Sequence, residues 1–183
     1  MPKVLVPLAQ GCEELEAVTV IDLLRRAEIE VLTASLGDKH VRCSRQTMIV
    51  ADYTLDEVLE LAFDMIVLPG GLPGSDHLNA DPRIKKLLLD MAGQGKYTAA
   101  ICAAPKVLAN AGLLNGKKAT AYPGVLEKIE SLSYTQAKEA VVQDGKVVTS
   151  RGPGTAMDFS LHLIELLVGR SKREMVEAAL QRK

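Results

Sequence analysis

One cysteine of this chain stands at a corner where a thiol can react. The stretch "AAICAAPKVLANAG" (Ala99 to Gly112) runs an apolar strand pattern into Cys102 and then opens a helix pattern. At such a junction the first N–H groups of the helix lack partners and its dipole favours negative charge. A thiolate placed there is stabilised, and the thiolate is the nucleophilic form. Ala100, Ala103 and Ala104 keep the corner slim, as a sharp strand-to-helix elbow with an exposed nucleophile requires. Taken alone, the pattern leaves two readings open: a reactive thiol, or a small buried hydrophobe.

A partner is visible in "QGCEELEA". Acids at a helix start complement its dipole, and Glu13 and Glu14 are expected to do no more than that. Glu16 differs by phase. Steps of four, three and four residues carry it to Val20, Leu23 and Ala27 on the apolar side, whereas Glu14 shares its face with Asp22 and Arg25. A carboxyl on the apolar edge is costly unless paired or protonated. Burial would raise its pKa, so a protonated Glu16 could donate to a Cys102 thiolate, the two sharing one proton. Such a pair offers a soft nucleophile beside a general acid and base.

Other loops supply lesser candidates. "LPGGLPG" (Leu68 to Gly74) ends a strand in Gly70 and Gly71, whose N–H groups, with that of Ala103, could hold an oxyanion; a plain tight turn is the alternative. "SRGPGTAMDF" brings Arg151, a possible anion contact, to a helix start. His40 is expected in a polar turn, His77 in the loop after the glycines, and His162 as a satisfied residue inside an apolar helix. None follows a strand end after Cys102, so a Cys-His-acid triad is not expected. Neither a Walker spacing nor G-x-G-x-x-G occurs.

The elements that must position these residues alternate. Apolar runs predict strands at Lys3–Ala9, Ile29–Leu36, Phe63–Gly71 and over "YTAAICAAP" from Tyr97, with a strand or short hairpin over Val41–Asp52. Helices are predicted over Glu13–Ala27, Pro82–Ala92, the "APKVLANAGLL" stretch and Ala156–Arg170, with a last one from Ser171. "KKATAYPG" predicts a further strand, and "KEAVVQDGKVVTSRGPG" a hairpin turning at Asp-Gly. Alternation of this kind implies parallel βαβ units in a layered α/β fold, whose site lies outside the carboxyl ends of the strands. That rule selects the loops after Ala9, Leu68, Ile101 and Ser150. With no repeat or linker in 183 residues, one domain over residues 1–183 is expected.

Composition narrows the classes. A net charge of −1 and 3% aromatic residues give no reason to expect specific nucleic-acid binding or an anionic membrane as partner. No run approaches the roughly 18 apolar residues of a membrane span. Cys12, Cys43 and Cys102 are odd in number and lack C-x-x-C spacing, so reduced thiols in a cytoplasmic setting are expected, with packing roles for Cys12 and Cys43.

Five blocks in order, "LAQGCEELEAVTVIDLLRRAEIEV", "CSRQTMIVAD", "DMIVLPGGLPG", "AAICAAPKVLANAG" and "TSRGPGTAMDF", resemble the ThiJ/PfpI superfamily, nearest its DJ-1/YajL branch, from residue 3 to about 170. The resemblance implies a flavodoxin-like three-layer sandwich with a mainly parallel sheet and a nucleophile elbow, usually as a homodimer. It implies Cys102 as the reactive cysteine and Glu16 as its partner, with no cofactor and no metal. It further implies a glyoxalase or deglycase acting on small reactive aldehydes or on glycated protein or nucleotide. The alternative it carries is a redox sensor or chaperone using the same cysteine, with peptidase or amidase action behind both. Where DJ-1 carries a histidine in a "THP" stretch, this chain reads "AYP", with Tyr122. A tyrosine can hydrogen-bond a substrate oxygen but is not expected to act as a base, so the family's third catalytic position is not matched here.

Overall fold

The computed structural model describes residues 1–182. The chain starts with β1 (Lys3–Leu8), α1 (Glu14–Arg26) and β2 (Glu30–Ser35), followed by a hairpin of β3 (His40–Arg42) and β4 (Met48–Val50) and a short β5 (Tyr53–Thr54). Then come β6 (Met65–Leu68), α2 (Gly74–Ala80), α3 (Pro82–Gly93), β7 (Tyr97–Ile101) and α4 (Pro105–Asn110). A small pair, β8 (Lys118–Ala119) and β9 (Thr135–Gln136), precedes the hairpin β10 (Val141–Asp144) and β11 (Val147–Ser150). Helices α5 (Ala156–Val168) and α6 (Arg170–Ala179) close the chain.

Seven strands form one sheet in the order β10-β11-β7-β6-β1-β2-β5, parallel except for β10. Both faces are covered, which is why the strands read as continuous apolar runs. In β1, Val4, Val6 and Leu8 face one side, with α1 and α5, whose Val20, Leu24, Phe159 and Ile164 are buried there. Leu5 faces the other, with Ile84 and Leu88 of α3 and Val107 and Leu108 of α4. This is the expected flavodoxin-like α/β sandwich, with the Asp144-Gly145 turn where the sequence places it.

Three elements differ from expectation. Gly74–Ala80 is helical, so His77 lies on α2 and not in a loop. Its sequence, GSDHLNA, contains poor helix formers; the helix is held by burying Leu78 and by packing on α3 and α4. The strand entering the elbow stops at Ile101, because Cys102 leaves the extended region. The "KKATAYPG" stretch forms only the two-residue β8, paired with β9 outside the main sheet.

Candidate active site

Strands β1, β6, β7 and β11 lie side by side, so the four loops picked from the sequence meet at one sheet edge. The chain goes from β1 to β2 on one side and later returns to β6 on the other. A crevice opens at such a switch point, and Glu16, from the first turn of α1, reaches across it.

Glu16 is fully buried, as its helical phase demands. Its Oε2 accepts the Gly70 N–H at 2.8 Å, whereas Oε1 has no conventional hydrogen-bond partner. Burial pushes its pKa up to about 7, against the Gly70 N–H and the Cys102 thiol, which favour the anion. Gly70 is required by space: a Cβ there would lie 2.6 Å from both Cys102 Cβ and Glu16 Oε2. The two reactive side chains therefore close over the bare face of Gly70. Because its N–H is given to Glu16, Gly70 is not the oxyanion donor the sequence suggested.

Cys102 has φ +64°, a left-handed conformation that costs a non-glycine residue about 1–2 kcal/mol. The sheet holds it there: its N–H donates to Ser150 O at 3.0 Å, and its carbonyl accepts the Tyr122 N–H at 2.8 Å. The N–H groups of Gly71 and Ala103 favour the thiolate. Burial and then the charge of Glu16 oppose them, pushing the thiol up to about 12. The thiolate stabilisation expected from the elbow is thus outweighed, first by burial and then by the acid that shares the pocket. The pair releases one proton near pH 7 and keeps the second until about pH 12. From above pH 7 to about pH 12, Cys102 and Glu16 hold one proton and one negative charge between them. With that proton on Glu16, the thiolate has a carboxyl and two backbone N–H groups around it.

A cavity of about 350 Å³ lies over the sulfur, lined by Ser44, Arg45, Gly71, Cys102, Ala103 and Tyr122 together with Glu13, Leu72, Val125 and Pro153. Tyr122 is exposed, and its ring packs 3.4 Å from where a Gly152 Cβ would be. Arg151 is exposed and outside the lining; Arg45, from the loop after β3, is the cation that lines the cavity. Sequence reasoning missed Ser44 and Arg45, although the "CSR" block that contains them was visible.

Glu13 and Glu14 do more than complement a dipole. Glu13 accepts from Ser44 Oγ at 2.8 Å, and Glu14 accepts the backbone N–H groups of Arg45 at 3.0 Å and Thr47 at 3.3 Å. Together they hold the β3–β4 loop against the cavity. His40 pairs with Asp38, His77 with the Gln10 carbonyl and His162 with the Gln143 side chain; none lines the cavity. Among the described residues no cluster of His, Cys, Asp or Glu could hold a metal ion. A larger groove of about 480 Å³ lies among Met1, Asp64, Lys96, Tyr97 and Lys146, near the amino ends of the strands, and is lined by no cysteine.

Comparison with known proteins extends these observations. The profile of the DJ-1/PfpI family matches residues 2–166. Protein DJ-1 homolog B of Arabidopsis thaliana is 43% identical over 173 residues, which are 93% of this chain and 39% of that protein. The chain thus spans about two-fifths of that relative's length. Glutathione-independent glyoxalase DJR-1.2 of Caenorhabditis elegans is 36% identical, covering 89% of this chain and 87% of that one. The crystal structure of Drosophila melanogaster DJ-1beta superposes with a TM-score of 0.94 at 42% identity, covering 100% of this chain and 98% of the other.

Proposed function

The chain belongs to the DJ-1/PfpI family, and we propose that it is a cofactor-independent glyoxalase using Cys102 and Glu16. The observation that carries this reading is the fully buried Glu16 carboxyl, poised to exchange a proton near neutrality, in one pocket with the elbow sulfur.

The chemistry follows from that pairing. The Cys102 thiolate adds to the aldehyde carbon of methylglyoxal, forming a C–S bond and an alkoxide. The Gly71 and Ala103 N–H groups, which favour the thiolate, would then donate to that oxygen. Protonation gives a hemithioacetal. Glu16 then takes the proton from the sulfur-bearing carbon and returns it to the adjacent carbon, through an enediol. The product is a lactoyl thioester on Cys102. Water cleaves it, releasing lactate and restoring the thiol. No electron acceptor is consumed, since one carbon is oxidised as its neighbour is reduced. Glyoxal would follow the same course, and adducts of these aldehydes on protein or nucleotides carry the same carbon centre. A cavity of about 350 Å³ favours the free aldehyde.

Tyr122, at the rim, supplies a hydroxyl for a substrate oxygen and no base, which disfavours peptidase or amidase action. A redox-sensing reading draws on the same pocket: a protonated Glu16 and two N–H groups can hold the oxygens of a Cys102 sulfinate. Exposed Leu15 and Val18 on α1 with Met48 and Val50 on β4 offer an apolar face for a second copy of the chain. No described helix is long and apolar enough to cross a membrane, and the three cysteines are free, as suits a reducing cytoplasm.

The test is lactate formation from methylglyoxal in buffer free of glutathione and metal. The unmodified chain should produce lactate, and Cys102→Ala should not. Equal turnover by the two would overturn the reading.

A further inference from the structure

Two thiols stand apart from the reaction just described. Cys12, between β1 and α1, and Cys43, after β3, are separated by thirty-one residues, yet their sulfur atoms lie 3.6 Å apart in the core. The two backbones are tied on either side of the pair. Gly11 N–H donates to Arg42 O at 2.7 Å, and Ser44 N–H donates to Cys12 O at 2.8 Å. With the main chains already at hydrogen-bond distance, side-chain rotation can bring the sulfurs to the roughly 2.05 Å of a disulfide.

We propose that Cys12 and Cys43 form a second thiol site, which closes reversibly to an internal disulfide under a two-electron oxidant such as hydrogen peroxide. The bond would join the loop carrying Glu13 to the loop carrying Ser44 and Arg45, locking one wall of the cavity. It does not rest on the reading of Cys102.

Burial pushes both thiols up, and either sulfur can donate in the contact between them, so the same steps can start from either one. The Cys43 sulfur attacks a peroxide oxygen, the O–O bond breaks, and one water leaves with the sulfenic acid formed. The Cys12 sulfur then attacks Cys43 Sγ. The S–O bond breaks, and the hydroxide departs with the Cys12 proton as a second water. Two thiols are oxidised, one peroxide is reduced, and the chain loses two hydrogen atoms. Both sulfurs are buried, so closure requires peroxide to enter between the two loops. A dithiol reductant reverses it by exchange.

The experiment uses the full chain with Cys102→Ala, which removes the competing thiol. The protein is exposed to hydrogen peroxide, free thiols are blocked after unfolding, and the digest is analysed by mass spectrometry. The expected result is a linked peptide pair containing Cys12 and Cys43, a chain mass lower by two hydrogens, and recovery of both thiols with dithiothreitol. The same peptide pair should form in the unmodified chain. The proposal is overturned if both thiols remain free at peroxide doses that oxidise Cys102 completely in the unmodified chain. It is equally overturned if Cys43 links only to another chain or to Cys102.

Discussion

Replacing Glu16 by glutamine removes a buried acid while keeping its shape and a carbonyl oxygen to accept the Gly70 N–H. In the folded chain Glu16 titrates at about 7, against an ordinary 4.5, because burial disfavours its charged form. Below pH 4.5 the carboxyl is neutral in folded and unfolded chains alike, and its burial costs little. Between 4.5 and 7 the unfolded chain releases this proton and the folded chain keeps it, so stability falls as pH rises. Above 7 the folded chain must hold the charge, and the loss levels off at about 3 kcal/mol. The amide of the Glu16→Gln variant has no such titration. Denaturant unfolding of both proteins from pH 4 to 8 isolates the effect, since the other titrating groups cancel in the difference. The variant should gain about 3 kcal/mol on the unmodified protein across that range. A difference that is flat with pH, or that grows in favour of Glu16 as pH rises, would refute the reasoning.

Further consequences can be checked individually. Gly70→Ala puts a methyl group 2.6 Å from both Cys102 Cβ and Glu16 Oε2. It should cost about 1–3 kcal/mol in denaturant melts and abolish lactate formation with the secondary structure intact by circular dichroism. Alkylation of Cys102 against pH should show one step near 7 and another near 12, and Glu16→Gln should merge them into one step below 12. Glu14→Ala should accelerate hydrogen exchange at the Arg45 and Thr47 amides, which its carboxylate binds, and leave the β1 amides unchanged. Peroxide at low excess should add two oxygens at Cys102 before any appear at Cys12 or Cys43, as read by peptide mass, because only Cys102 is exposed to the cavity.

Much of this site is written in local pattern. Helical period alone assigns Glu16 to the buried face, since a residue in phase with Val20 and Leu23 must follow them inward. The apolar run ending at Cys102, followed by small residues, marks the elbow because close packing and a left-handed turn leave little room for anything larger. What local pattern cannot carry is the use made of a group by a distant one. That Gly70 spends its N–H on a residue fifty-four positions away depends on the neighbouring of β1 and β6. The thiol escapes local reading for a related reason: the elbow dipole is legible, but burial of the sulfur and then the charge of Glu16 beside it set the balance. Arg151 stands out in the sequence because it follows a strand end, whereas Arg45 arrives on a loop pinned by Glu14, a contact between segments thirty-one residues apart. The weak helix formers of α2 likewise fold as they do through tertiary burial of Leu78.

The claim at the centre is that Glu16 moves the proton for chemistry begun by Cys102. It is tested most directly by kcat for lactate formation from methylglyoxal, with Glu16→Gln beside the unmodified chain at pH 7, in glutathione-free buffer containing a chelator. Removing a positioned general acid and base should lower kcat by about 10²- to 10⁴-fold while the Cys102 thiol still forms its adduct, seen by intact mass. A Glu16→Gln variant that turns over within a few-fold of the unmodified chain would contradict it.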